Sequence, residues 1–370
     1  MALLNWTAMT GLYAHIPFCR KKCFYCDFFS EEYGGSNADI YIDALISEAL
    51  IYGKQRLDTV YIGGGTPSVL SLRQIEKFFR GLDNVFGFAG NSSEVTFEMN
   101  PESVSPDKLK LLKNCGINRL SIGLQSADTP ELKLLGRVHD YDMFKKAFEN
   151  ARKEGFDNIN VDLIYGLPGQ SIADWSENLK KALLFGSEHI SLYPLSVEEN
   201  TVFYKNAVSV DGDIQRDMYE KASEMLERAG FNHYEISNWA KPGKEAAHNS
   251  NYWRNLEYIG IGAGASGYLG GFRYLNIENI KEYSDRVSKG ISVKVENDFI
   301  NDSDRRTEAI ILGLRLLKEG VDEELFAHGR TAAVFEDLLK RGLLERDSGR
   351  VRLSKNAVFV SNSVLCEFIE

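Results

Sequence analysis

Cysteine is scarce in this chain: there are five in 370 residues, an odd number and too few for a disulfide framework. That scarcity fits a reducing compartment, so a cytoplasmic location is the expectation. A basic excess is missing as well. With 43 Lys and Arg against 53 Asp and Glu, the formal net charge is -10. This argues against a nucleic-acid or membrane-surface scaffold, because such partners favour basic patches. No apolar run is long enough to cross a bilayer; AIILGLRLL, residues 309–317, is short and carries Arg315. The opening MALLNWTAMTG lacks the basic start, apolar middle and small-residue cleavage site of a secretory signal. What remains is an ordinary globular composition, 44% hydrophobic and 26% charged. The length suits one large domain and a smaller one.

Three of the five cysteines fall within eight positions, in HIPFCRKKCFYCDFF, with the spacing Cys19-x3-Cys23-x2-Cys26. Zinc takes closely spaced thiolates, but its structural sites pair ligands from two separated stretches. Here the later cysteines, Cys115 and Cys366, stand alone. Three thiolates from one loop suit an iron–sulfur cluster better, with one iron left free of protein ligands. Arg20, Lys21 and Lys22 lie inside the loop. Their charge favours a net-negative thiolate cluster, and a solvated basic turn explains them equally well.

The surroundings alternate short apolar strands with longer amphipathic helices. The predicted strands are 12–16, 59–64, 94–98, 119–123, 159–164 and 189–193. Between them lie helical patterns that begin at Ser or Asp and end at Gly, for instance SLRQIEKFFRGL and SPDKLKLLKNCG. This alternation predicts an α/β fold with a parallel sheet and helices outside. Six such units are too few to close an eight-fold barrel, so a partial (β/α)6 barrel is expected. In parallel α/β folds the site forms at the C-terminal ends of the strands. Those ends carry the cysteine loop, GGGTPS (63–68), Glu98, Gln125, Asp162 and PLSVEEN. The triple glycine, Gly63 to Gly65, permits close backbone approach and exposes N–H groups.

CxxxCxxC just after an N-terminal strand resembles the signature of radical S-adenosylmethionine (SAM) proteins. The resemblance implies that Cys19, Cys23 and Cys26 hold a [4Fe–4S] cluster whose fourth iron is chelated by the amino and carboxylate groups of SAM. It also implies that one electron from the cluster splits SAM. Gly64, Gly65 and Thr66 would then meet the methionyl amine, and Glu98 and Asp162 the ribose hydroxyls or the amine. Gln125 belongs to the same SAM site, and Arg137 would pair with the SAM carboxylate by a two-pronged contact. Tyr13 and Tyr25 would pack on the methionine or adenine, or serve as core aromatics.

YAHIPFC, GGGTPS, GINRLSIGLQS, LGRVHD and DLIYGLPGQ, in this order, are similar to the coproporphyrinogen III oxidase-like branch of that superfamily. The branch contains an oxygen-independent oxidase that decarboxylates two propionates, and a haem chaperone that delivers haem to target proteins. Three features favour the chaperone. Phe28 stands where the oxidase signature has a further cysteine; only 18 residues precede Cys19; and HNSNYW, residues 248–253, matches the HNxxYW stretch of the chaperone. The resemblance implies that His248 holds haem, with Tyr252 and Trp253 as aromatic faces for the macrocycle. Haem-accepting proteins, respiratory ones included, would be the partners. Oxidase activity is not expected, and whether the chain is an enzyme at all stays open. MTGLYAHIPFC, beginning at Met9, is how such chains open, so the first eight residues are read as an upstream start or vector remnant.

GAGASG, residues 262–267, fits the dinucleotide pattern GxGxxG. The glycine- and aromatic-rich stretch after it has no helical period, so NAD binding is rejected. Domain boundaries are expected at 1–240 for the core, 241–300 for a segment across the barrel mouth, and 301–370 for a winged-helix-like unit. That last unit holds 11 Lys and Arg against 13 Asp and Glu, a net of -2, so an electrostatic grip on DNA is not evident.

Overall fold

The computed structural model describes residues 10–327 and 329–369, so the reading of Met9 as a start lies outside the described residues. Six parallel strands appear where the alternation places them: β1 (Thr10–Ile16), β2 (Leu57–Gly64), β3 (Glu94–Met99), β4 (Arg119–Gln125), β5 (Ile159–Tyr165) and β6 (His189–Pro194). They pair in chain order. At the far edge β6 is followed by the antiparallel β8 (Asn238–Ala240) and β7 (Asn232–Glu235). At the near edge β1 pairs in parallel with β9 (Tyr258–Ile261). The antiparallel β10 (Ser266–Leu269), β11 (Phe272–Asn276) and β12 (Lys294–Phe299) continue from there. The sheet thus has twelve strands and stays open.

The residues explain the layers. Alternate side chains of a strand point to opposite faces. On β1 and β2, Leu12, Ala14, Ile16, Val60 and Ile62 are fully buried in the main core. Burying each large aliphatic side chain contributes roughly 1.5–3 kcal/mol. The opposite positions are polar: Tyr13 and His15, Thr59 and Tyr61, Glu94 and Glu98, Ser121, Asn160 and Asp162, His189 and Ser191. They face one another across the concave side and bond to one another. Asp162 accepts from Ser121 Oγ (2.9 Å) and Asn160 Nδ2 (2.8 Å), and His189 Nδ1 lies 2.6 Å from Asn160 Oδ1. A parallel sheet with a polar inner stripe has an interior built for a polar ligand rather than for packing alone.

The helices start on the expected residues. In α1 (Leu72–Phe86), Ser71 accepts the Gln74 N–H, Gln74 returns the bond in a capping box, and left-handed Gly87 ends the helix. Ser171 caps the helix Ile172–Leu183 with a second capping box, returned by Asp174, and Ser105 caps Pro106–Asn114 by accepting the Lys108 N–H.

Residues 241–300 correct the expectation of a segment across the mouth. The helix α2 (Ala247–Trp253) docks at the opposite, N-terminal end of the strands. There Glu94, the first residue of β3, accepts the Ala247 and His248 N–H groups at 2.8 and 3.1 Å. The rest of the segment extends the main sheet, so the sheet continues past residue 240. GAGASG turns β9 into β10, with Gly262 and Gly264 at positive φ, and opens no helix. The C-terminal unit runs helix (Asp302–Gly313), strand (Val321–Asp322), helix (Gly329–Lys340) and hairpin (Leu344–Asp347, Arg350–Leu353), a winged-helix-like order. Among the described residues no helix is long and apolar enough to cross a membrane.

Candidate functional site

The three cysteines sit on the loop that leaves β1, beside the turn that leaves β2. Two backbone bonds clasp loop to turn: Gly65 N–H donates to Ile16 O (3.0 Å) and Thr66 N–H to Phe18 O (2.7 Å). A Cβ on Gly65 would lie 2.8 Å from Phe18 O, so no side chain fits there. Gly64, at φ 108°, would set a Cβ 2.6 Å from the His15 ring. The clasp also corrects one expectation: the N–H groups of Gly65 and Thr66 are already donated, and that of Gly64 goes to Glu98 Oε2 at 3.2 Å. The turn therefore has carbonyl oxygens to offer an amine.

All three thiols are half-buried and unpaired. Burial pushes the Cys19 thiol up and the Cys26 thiol up to about 11. Thiols so placed are costly to ionise unless a positive centre sits among them, as iron would. Four polar side chains reach the sulfurs: Thr66 and Ser30 bond to Cys19, and Arg137 and Tyr25 to Cys23. Thr66 Oγ1 lies 3.4 Å from Cys19 Sγ, and Arg137 Nη1 donates to Cys23 Sγ at 3.5 Å. The basic residues of the loop are exposed; Lys22 Nζ folds back onto Phe28 O (3.0 Å) and Lys21 lies over the Phe24 ring. Phe28 itself, where the oxidase pattern has a cysteine, is 65% exposed. The three-thiol donor set, with charge-neutralising donors around it, fits a [4Fe–4S] cluster.

The other expected residues converge on the same end of the sheet. Glu98 accepts the Tyr61 hydroxyl at 2.5 Å, and burial raises its carboxyl to about 7. Asp162 is raised from its ordinary value, also by burial, and accepts from Ser121, Ser191 and Asn160, which leaves one of its roughly four lone-pair sites for a ligand. Gln125 ends β4 at φ 64°, a left-handed conformation that costs a non-glycine residue energy and clusters at functional sites. Arg137 Nη2 is held by Asn100 Oδ1 (2.7 Å) and Gly123 O (3.2 Å), so only Nε–H and one Nη1–H remain, single donors rather than a fork, and the expected two-pronged contact with a carboxylate is not available in this arrangement. The Tyr13 hydroxyl lies 2.9 Å from His15 Nδ1, one layer below the thiols. Tyr25 packs against the small cluster of Leu135, Ile164, Leu167, Leu195 and Phe203 at the mouth.

His248 is elsewhere. It is 1% exposed, beneath the polar interior, with Nδ1 2.9 Å from Thr59 Oγ1 and Nε2 2.7 Å from Tyr252 OH. Burial lowers its pKa to about 3, so it is neutral, as an iron ligand must be, but both nitrogens are occupied. The expectation of an imidazole open to haem is therefore not met in this conformation. Trp253, the last residue of HNSNYW, instead lines a cleft of about 1620 Å³ shared with Leu256, Phe326 and Phe335 of the C-terminal side.

Two residues escaped the sequence reading. His15, within YAHIPFC, ties the far end of the cysteine loop to β1 through Phe29 O (3.0 Å). Asn100, two residues after Glu98, joins Thr66 to Arg137. Its only signal was its place at a strand end.

The sequence profile of the radical SAM superfamily matches residues 13–182. The heme chaperone HemW of Bacillus subtilis is 37% identical over 98% of this chain and 99% of its own length. That of Escherichia coli is 39% identical over 70% of this chain and 69% of its own. Among solved structures, coproporphyrinogen III oxidase (HemN) of Escherichia coli superposes with a TM-score of 0.86 at 23% identity, over 98% of this chain and 90% of that one. This likeness shows the fold. With the cysteine loop, the glycine turn and the family match in agreement over nearly the whole length, the chain belongs to the HemW family of the radical SAM superfamily.

Proposed function

We propose that this chain is a haem chaperone that binds haem and passes it to acceptor proteins in the cytoplasm, respiratory proteins among them. It carries a [4Fe–4S] cluster on Cys19, Cys23 and Cys26, with SAM at the open iron. The observation that carries the reading is full-length similarity to chaperones of that name, together with a donor set of three thiols and no fourth.

The bound cluster and SAM would supply one-electron chemistry. The residues around them bind and orient. The carbonyls of the Gly64–Gly65 turn accept the SAM amine. Glu98 in its ionised form attracts that cation, and Asp162 accepts a ribose hydroxyl. A remaining single donor of Arg137 takes the SAM carboxylate, and Gln125 and Tyr25 wall the mouth. His248 can serve as a haem ligand only after leaving Thr59 or Tyr252. Trp253 already lines a cleft of about 1620 Å³ that could receive haem.

Anaerobic purification followed by iron, sulfide and haem quantification tests this. One cluster per chain, a Soret band that titrates with added haem, and no carbon dioxide from coproporphyrinogen III are expected. Carbon dioxide release with SAM and a reductant would establish the oxidase instead. Absence of iron and sulfide after reconstitution would remove the cluster.

A further inference from the structure

We propose that Asn100 is a positioning residue for the cluster ligands: one side-chain amide orients one hydrogen-bond donor toward each of two of the three sulfurs, Thr66 toward Cys19 and Arg137 toward Cys23. The inference rests on the reading of Cys19, Cys23 and Cys26 as cluster ligands.

Asn100 Oδ1 lies 2.7 Å from Arg137 Nη2, and Asn100 Nδ2 lies 3.0 Å from Thr66 Oγ1. A guanidinium only donates, so the amide oxygen must face Arg137 and the NH2 must face Thr66. Thr66 Oγ1, having accepted from Asn100, directs its own hydrogen away from it, and Cys19 Sγ lies 3.4 Å off. A thiolate there accepts that hydrogen. On the other side Arg137, anchored through Nη2, donates through Nη1 to Cys23 Sγ at 3.5 Å. Two chains of donation, one through Thr66 and one through Arg137, thus start from the same amide.

Asn100 cannot swing out of this arrangement. Its N–H donates to Ser68 Oγ (3.1 Å), and its carbonyl accepts the Ser103 hydroxyl (2.8 Å) and N–H (3.0 Å). Behind them the buried Lys108 ammonium donates to the carbonyls of Ser68 and Ser103, pinning the two turns that flank Asn100. Hydrogen bonds to cluster sulfurs draw off negative charge and favour the reduced cluster, so they raise its potential. Asn100 therefore sets the reduction potential without touching a sulfur.

The test is an anaerobic, EPR-monitored redox titration of the reconstituted full chain, with iron and sulfide content and Tm measured alongside. Asn100→Asp keeps the shape and the acceptor for Arg137 but turns the donor toward Thr66 into an acceptor. The Thr66 hydrogen is then drawn to the new carboxylate and away from Cys19. The midpoint potential should move to more negative values, while cluster content stays at the wild-type level. Thr66→Val removes the bond to Cys19 directly and should lower the potential too. In a Thr66→Val background Asn100→Asp retains its charge and its bond to Arg137 but no longer acts on Cys19, so its shift should be smaller than in the wild type. Equal shifts in both backgrounds, or a wild-type potential in Asn100→Asp, would overturn the inference and leave the cluster reading standing. A wild-type chain that takes up no iron and sulfide would overturn both.

Discussion

The ring of Tyr61 lies on that of His248, with centroids 5.3 Å apart and 27° between the planes, while its hydroxyl is held by Glu98 at 2.5 Å. One side chain therefore spans from the SAM end of the interior to the HNSNYW motif beneath it. The two parts of the proposed function, which the sequence places 150 residues apart, are joined through a tyrosine that neither motif contains.

Glu98 should make SAM binding depend on pH. Burial holds its carboxyl at about 7, so near neutrality it is partly protonated and a poor partner for a cation. Affinity for SAM should rise as pH increases through about 7, by at most about tenfold per pH unit. Glu98→Gln should bind more weakly at high pH and lose this slope. Calorimetric titrations at several pH values check it. The stability sign runs the other way: the native state holds this proton longer than the unfolded chain, so the contribution of Glu98 fades as pH rises from about 4.5 to about 7.

Tyr252 competes with haem for His248. If the imidazole must leave the Tyr252 hydroxyl before ligating iron, Tyr252→Phe removes an opposing bond worth roughly 1 kcal/mol, about fivefold in affinity. Haem binding, read from the Soret band, should tighten by that order in Tyr252→Phe and weaken in His248→Ala. Unchanged affinity in both variants would place the ligand elsewhere.

Lys108 should be costly to replace although it touches none of the expected site residues itself. It is 9% exposed and donates to Ser68 O and Ser103 O, so Lys108→Met leaves buried carbonyls unpaired. A loss of about 2–3 kcal/mol is expected in denaturant unfolding. An exposed control such as Lys110→Met should change stability by less than about 0.5 kcal/mol.

The buried histidines should make the fold acid-labile. His233 stacks on Trp239 at 4.0 Å, and burial lowers its pKa to about 4. A depressed histidine is neutral when folded and charged when unfolded at acid pH. Its stability contribution is full above about 6.5 and lost as pH falls toward 4. His233→Phe keeps the stack without the proton, so stability should decline less steeply over that window, by at most about 1.4 kcal/mol per pH unit.

The parallel core was legible because its signals are local. Strand periodicity, capping serines and closing glycines place all six strands within two residues of where they lie at each end. The cysteines, Gly64, Gly65, Glu98, Gln125, Arg137 and Asp162 converge because strand ends converge in any such sheet. The placement of α2 was not legible. What holds it is the Glu94 carboxylate and Thr59, more than 150 positions earlier, and no spacing within HNSNYW encodes them. Asn100 was missed for a similar reason, since its importance lies in two partners that come together only when three strand ends meet.

The clasp between the β1 loop and the β2 turn bears on the order of events during synthesis. The carbonyls of Ile16 and Phe18 and the sulfur of Cys19 emerge from the ribosome well before Gly65 and Thr66, which lie 47 positions beyond their partners in the case of Cys19 and Thr66. Until that later stretch arrives, the cysteine loop has only its own bonds, His15 to Phe29 O and the Tyr33 N–H to Cys19 O among them, and lacks the clasp. Docking of the second strand then completes the enclosure of the cysteine loop, so a chain cut before residue 66 lacks both backbone bonds of the clasp and the Thr66 contact to Cys19.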